Sequence, residues 1–265
     1  MNLNLENICG EVIKVAELAA EFIVNERETF TADKIEFKGH QNLVSYVDKK
    51  AEEMIVAKLK EILPEANIIA EEGYNNPENV TELAWVIDPL DGTTNFIHNL
   101  PPYCVSIALV DNKKPLLGVI FVATSGECFY TWRGAKSFVN GKEISCSEVD
   151  KLENSLVISG MAYNLTEKTK NDFIELFDFF NRNTHGARRL GSAATNLAYL
   201  ASGRADCFYQ LNLSPWDVAA GAIIAENAGC IVTDFNGGDD YVFGKSIMVS
   251  TPKLHNEFFD IVTLK

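Results

Sequence analysis

The chain has 265 residues, 47% of them hydrophobic and 23% charged, which is enough apolar material for one large domain or two closely packed ones. Its 23 Lys and Arg stand against 37 Asp and Glu, a formal net charge of −14. Without a local basic patch, and none is present, such a chain repels nucleic acid and anionic lipid, and it should equally repel an anionic small substrate unless metal cations reverse the sign locally.

In chain order, Ile8, Val12, Val15, Ala19 and Phe22 recur three or four apart and predict an amphipathic helix over about residues 5–24. Residues 36–44 are polar and contain Gly39, and are expected to form a mobile loop. Val47, Ala51, Met54, Ile55, Leu59 and Ile62 predict a second helix, stopped by Pro64. Short apolar runs follow at 68–70, 85–87, 105–110, 116–122 and 128–132, with reversals at Asp111-Asn112 and Ser125-Gly126, the texture of a meandering, largely antiparallel sheet. Beyond residue 150, strands at 156–158, 205–211 and 231–233 alternate with helices at 167–181, 193–201 and 218–227. That alternation predicts an α/β half with much parallel pairing, so the chain divides into halves at 1–150 and 151–265.

The six cysteines contain no C-x-x-C pair and the four histidines no H-E-x-x-H, which argues for reduced thiols and against a zinc hydrolase. No basic leader precedes an apolar run and no stretch approaches the roughly 20 apolar residues of a membrane span, so a cytoplasmic protein is expected.

The chemistry concentrates in Trp85-Val-Ile-Asp-Pro-Leu-Asp-Gly-Thr-Thr-Asn-Phe96. An apolar strand ends at Asp88, a turn follows, and Thr93 or Thr94 is placed to cap a helix. Asp88 and Asp91 can converge on one side of a turn whose dihedrals Pro89 and Gly92 set. Carboxylates and carbonyls in such close quarters suit Mg²⁺, and the backbone N–H groups at the helix start suit an anion. Taken alone, Asp-Pro and Asp-Gly are ordinary turn dipeptides, Glu71-Glu72 a solvated strand end, Asp217 a helix N-cap and Asp48 a charge near a helix start. Their combination carries the signal.

The order Asn42-Leu-Val-x-x-x-Asp48, Glu71-Glu72, Asp88-Pro-Leu-Asp-Gly-Thr-Thr-Asn-Phe96 and Trp216-Asp-x-Ala-Ala-Gly221 resembles the inositol monophosphatase family, Mg²⁺-dependent phosphatases of a lithium-sensitive superfamily. Val139-Asn-Gly-Lys142, Arg188-Arg-Leu-Gly-Ser192 and Gly203-Arg-Ala-Asp206 extend the match over nearly the whole chain. The resemblance implies a layered α-β-α-β-α sandwich, commonly a homodimer. It implies one Mg²⁺ held by Glu71, Asp88 and the Leu90 carbonyl, and a second held by Asp88, Asp91 and Asp217. Glu71 would orient the attacking water with Thr93 as hydroxyl partner, and the Gly92 and Thr93 amides would meet the phosphate. Asp48 and Glu72 would support a weaker third metal or its waters, and Gly191, Ser192 and Ala193 would form a wall against the substrate's polyol. Carboxylates packed about 4 Å apart cost roughly 4 kcal/mol per pair at an effective dielectric of 20, a repulsion that two divalent cations would relieve while giving a phosphate something positive to meet.

One residue departs from the family pattern. Gln210 stands where the family places a glutamate on substrate hydroxyls; glutamine keeps an acceptor oxygen, adds a donor and removes the charge. Haloacid-dehalogenase chemistry, suggested by Leu90-Asp-Gly-Thr93, needs a nucleophilic aspartate two residues before Asp91, where Pro89 stands. The expected activity is hydrolysis of a small sugar or polyol phosphomonoester by metal-activated water. Fructose 1,6-bisphosphate, histidinol phosphate, a 3′-phosphoadenosine nucleotide, or a role as a non-catalytic metal-binding partner module are the alternatives.

Overall fold

Residues 5–29 wind into α1 (Leu5–Thr29), longer than its apolar period predicts, with Val12, Val15, Ala19 and Ile23 along one buried stripe. The Asn4 side chain caps it by accepting from the Asn7 N–H at 3.1 Å. The computed structural model describes residues 3–31, 35–39, 42–73, 82–161 and 165–263, with backbone alone for 35–39 and 42–44. Where a mobile loop is expected over 36–44, the backbone instead pairs β1 (Ile35–Gly39) with β2 (Asn42–Ser45) as an antiparallel hairpin. The alternation of Ile35 and Phe37 with Glu36 and Lys38 is the strand signal that the polar composition obscures. α2 (Tyr46–Ile62) follows directly and ends before Pro64.

The apolar runs that come next assemble one sheet in chain order: β3 (Asn67–Ala70), β4 (Ala84–Asp91), β5 (Cys104–Asp111), β6 (Lys114–Val122), β7 (Glu127–Trp132), β8 (Ser137–Val139) and β9 (Lys142–Ile144). β3 runs parallel to β4 and every later pair is antiparallel. β8 and β9 escape a reading by apolar runs. The Asn140-Gly141 dipeptide between them, both residues at positive φ, is the signal that marks this hairpin. The short α3 (Thr93–Ile97) lies between β4 and β5.

The second half supplies β10 (Val157–Ser159), α4 (Glu167–Asn183), β11 (Ala187–Arg188), α5 (Ala193–Ala201), β12 (Cys207–Leu211), α6 (Pro215–Asn227), β13 (Ile231–Thr233), β14 (Ser246–Ser250) and α7 (His255–Thr263). Its sheet has the order β11-β10-β12-β14-β13. β10 is parallel to β11 and β12, whereas β14 is antiparallel to both neighbours. No helix joins β13 to β14, and a chain that returns without a crossover must pair antiparallel.

The layers follow from which faces are apolar. α1 and α2 cover one face of the large sheet, α5 and α6 fill the space between the two sheets, and α4 and α7 close the outer face of the small one. β4 is buried throughout, and its side chains serve two cores in alternation. Trp85 and Ile87 pack under α1 and α2; Ala84 and Val86 face α5 and α6. The result is an α-β-α-β-α sandwich. α6 lies unusually close to β6, because a Cβ on Gly118 would stand 2.6 Å from the Ala220 carbonyl oxygen. That approach, with Ser106 Oγ donating to the Trp216 carbonyl at 3.2 Å, brings the first turn of α6 against the large sheet. Among the described residues all six cysteines are free and no helix is long and apolar enough to cross a membrane.

Candidate metal centre

Strand register assembles the first carboxylates. β3 pairs with β4 so that Ala70 faces Ile87, which sets Glu71 level with Asp88; the Glu71 N–H donates to the Ile87 carbonyl at 3.3 Å. The next amide, of Glu72, donates to Glu52 Oε2 at 2.7 Å, so a buried carboxylate of α2 holds the turn that carries Glu71. Glu52 was not foreseen; its only signal is its place four residues after Asp48 on the same helix face.

β4 does not end at Asp88 as expected but runs on through Asp91. In a regular strand, residues three apart face opposite sides. Here Asp88 lies opposite Ser106 and Asp91 opposite Cys104, three steps on β4 against two on β5. This bulge turns both carboxylates to one side. Pro89 has no N–H to give the ladder, and the Leu90 N–H turns to Asp88 Oδ1 at 2.9 Å. Gly92, at φ +100°, then caps α3, a place that Thr93 or Thr94 was expected to take.

The second half delivers the remaining acid. Carboxylate oxygens of Asp88, Asp91 and Asp217 lie within 4.8 Å of one another. Asp217 is the third residue of α6 rather than its N-cap, which is Ser214; its Oδ2 accepts from the Ser214 N–H at 2.6 Å. Asp48 plays the same part in α2, where Oδ2 accepts from the Ser45 N–H at 2.9 Å and the Ser45 hydroxyl at 2.6 Å. Both are Ser-x-x-Asp capping boxes, and that spacing in the sequence is the signal that marks them. Asp48 Oδ1 takes the Thr93 hydroxyl at 3.0 Å, and the same hydroxyl lies 3.1 Å from the Leu90 carbonyl oxygen.

Burial and mutual repulsion govern the charges. Loss of water is the largest cause at each acid. It pushes Asp88 well above the usual carboxylate range, and the neighbouring charges of Glu71, Asp91 and Asp217 push it further against the Leu90 N–H. Asp91 is raised to about 6, with Ser192 and the Ala193 and Ala194 amides opposing the rise. Asp217 is raised to about 7 by burial and by Asp91, and Asp48 is raised by burial against its hydrogen bonds. The donor set is carboxylate oxygen, while burial drives the adjacent Cys104 thiol upward and keeps it neutral. Such a set fits a hard divalent cation.

The other expected site residues divide between this centre and the fold around it. Gly92 and Thr93 start α3 immediately after Asp91, and Gly191, Ser192 and Ala193 form the turn into α5. Asn95 ties these two turns together, its Nδ2 donating to the Pro102 and Leu190 carbonyls at 2.7 Å each. Ser192 is buried with its hydroxyl on Asp91, a role the sequence did not signal. Gln210 is half-buried on β12, its side chain lying directly over the Cα of Gly160.

A family model described as the inositol monophosphatase family matches residues 4–262. A Thermotoga maritima protein named fructose-1,6-bisphosphatase/inositol-1-monophosphatase is 38% identical over 231 residues, covering 87% of this chain and 86% of that one. A Vibrio cholerae protein named Nus factor SuhB is 37% identical over 250 residues, covering 91% and 90%. Among solved structures, the inositol monophosphatase from Anabaena superposes with a TM-score of 0.87 at 31% identity, covering 99% of this chain and 97% of that one. The extragenic suppressor protein suhB from Bartonella henselae gives a TM-score of 0.88 at 30% identity, covering 97% and 98%.

Proposed function

The chain belongs to the inositol monophosphatase family, and from that premise we propose that it is a Mg²⁺-dependent phosphomonoesterase acting on a small sugar or polyol phosphate of the inositol 1-monophosphate kind. One observation carries the reading: three carboxylates from two distant parts of the chain come within 4.8 Å of one another, an arrangement costly to leave without cations. Glu71, Asp88, Asp91, Asp217 and the Leu90 carbonyl would hold two ions, with Asp48 and Glu72 in support of a third or its waters. When bound, the ions supply charge neutralisation, a lowered pKa for an attacking water and stabilisation of the leaving oxygen.

The chain's own groups supply the rest. Glu71 and the Thr93 hydroxyl orient the attacking water, and Asp48 Oδ1 holds that hydroxyl in place. The Gly92 and Thr93 amides meet the phosphate, while the backbone of Gly191 to Ala193 and the side chain of Gln210 face the polyol. Residues 1–150 thus carry most of the ligands, and residues 151–265 bring Asp217 and the substrate wall. The working form on this reading is a cytoplasmic homodimer with a small-molecule partner.

Two relatives' names support further readings. The Thermotoga name supports fructose 1,6-bisphosphate as a second substrate, and the Nus factor name supports the partner-module reading. Hydrolysis of a panel containing inositol 1-phosphate, fructose 1,6-bisphosphate, histidinol phosphate and a 3′-phosphoadenosine nucleotide, with and without Mg²⁺, separates them. Metal-dependent turnover of a polyol phosphate is expected; metal binding with no turnover of any ester would favour the partner module.

A further inference from the structure

The turn into α5 carries a hydroxyl that faces inward. Ser192 is 1% exposed, and its Oγ donates to Asp91 Oδ2 at 2.7 Å, lies 2.7 Å from Thr195 Oγ1 and accepts from the Thr195 N–H at 3.1 Å. Asp91 Oδ2 also accepts from the Ala194 N–H at 2.7 Å, and Cys104 Sγ lies 3.9 Å away. Short bonds from two donors to one carboxylate oxygen are the strong, charge-assisted kind. They occupy Oδ2 and, with the Ala193 amide that also favours this carboxylate's charge, fix its rotation, while Oδ1 is claimed by neither Ser192 nor Ala194. Ser192 is itself held by its hydrogen bonds with Thr195, so its position follows that of α5.

We propose that Ser192 is a positioning residue for metal binding: with the Ala194 amide it locks Asp91 so that Oδ1 is the oxygen offered to a cation, and the seating of α5 thereby sets the affinity of the centre. The proposal rests on the Mg²⁺ reading of the carboxylate cluster. It removes the Ser192 side chain from the polyol wall, whose contacts at this turn then come from backbone.

Ser192 is also the N-cap of α5, so its variants must separate capping from positioning. Glycine serves as an N-cap nearly as well as serine, whereas alanine does not, yet both remove the donor to Asp91. Titration of the full chain with Mn²⁺, followed by electron paramagnetic resonance, reads the affinity directly, and urea unfolding of the metal-free chain reads the cap. S192A and S192G are expected to lose about tenfold or more in Mn²⁺ affinity, as removal of a ligand's hydrogen-bond partner does, while S192T retains it. At saturating metal the substrate KM of S192A should stay within about twofold, the sign that uniform substrate binding is untouched. Affinity losses that rank with stability, alanine worse than glycine, would overturn the proposal. So would undiminished affinity with a raised KM, which would return the side chain to the polyol wall. If the native chain binds no Mn²⁺ or Mg²⁺, the reading of the cluster as a metal centre falls first and this proposal with it.

Discussion

Thr93 Oγ1 lies 3.0 Å from Asp48 Oδ1, so a hydroxyl at the start of α3 is held by the first turn of α2. The other Asp48 oxygen takes both donors of Ser45, so an alanine at this position takes away the acceptor on both sides at once. Asp48→Ala is therefore expected to cost about 1–3 kcal/mol in urea unfolding, the cost of the buried Ser45 donors left without a partner. It should also lower kcat at least about tenfold by freeing Thr93. Unaltered kcat would detach Thr93 from the orientation of water.

Asp217→Asn separates charge from capping. The asparagine oxygen can still accept from the Ser214 N–H, which Asp217 receives at 2.6 Å, so α6 keeps its start. Removing a carboxylate already pushed up to about 7 by burial and Asp91 should raise the metal-free unfolding midpoint and abolish most of the Mg²⁺-induced rise. Turnover should fall at least about 10²-fold. Thermal unfolding with and without Mg²⁺, beside steady-state kinetics, checks both; a metal-free midpoint that falls would show the charge to be stabilising.

The pH dependence follows in sign. Asp91 at about 6 and Asp217 at about 7 both stand above the ordinary 3.8, so between these limits the metal-free native chain holds protons that the unfolded chain has lost. Their contribution to metal-free stability is fully present below the unfolded value and is lost as pH rises through the folded ones. A bound divalent cation competes with those protons, so Mg²⁺ affinity should climb across the same window and binding at about pH 6 should release protons. Calorimetry in two buffers of different ionisation heat measures the release; identical heats in both would contradict it.

Gly118 tests the packing that brings α6 to the sheet. A Cβ there would stand 2.6 Å from the Ala220 carbonyl oxygen, part of a helix backbone that cannot step aside singly. Gly118→Ala is expected to cost about 1–3 kcal/mol as overpacking. It should also weaken Mg²⁺ affinity, because Asp217 rides on that helix. Chemical denaturation and metal titration read the two effects; destabilisation with undiminished affinity would mean the turn bearing Asp217 is held by other contacts.

Gln210→Glu introduces the charge that the resemblance to the family implies at this place. It should change the preference among polyol phosphates more than it changes turnover of an aryl phosphate that has no hydroxyls to recognise. Equal effects on both, in a comparison of kcat/KM, would show that this side chain, packed over Gly160, does not face the substrate.

Local patterns were readable in the chain because they depend on neighbours in sequence. The helical periods of α1 and α2, the apolar runs of β3 to β7 and the extent of α5 all appear at or near the expected places. The hairpin β1-β2 and the pairs β8-β9 were missed because their strands are too short or too polar to show an apolar run, and β14 and α7 were missed as well. Within the centre, the acids themselves were legible through their motif order. Ser192, Glu52 and the bulge between Asp88 and Asp91 were not, since each acts through a partner that no local pattern reveals.

By itself, then, the sequence determined the acid-rich composition, the family motifs and most of the elements that carry them, all of which follow from side-chain periodicity and turn chemistry. Only the tertiary structure decided that Asp217 of α6 meets Asp88 and Asp91 of β4 within 4.8 Å, and that Asp91 is gripped from α5. Such meetings depend on how closely a helix can approach a sheet, on which side a bulged strand presents its carboxylates, and on which hydroxyl is left without water. These are properties of packing, and no stretch of chain contains them.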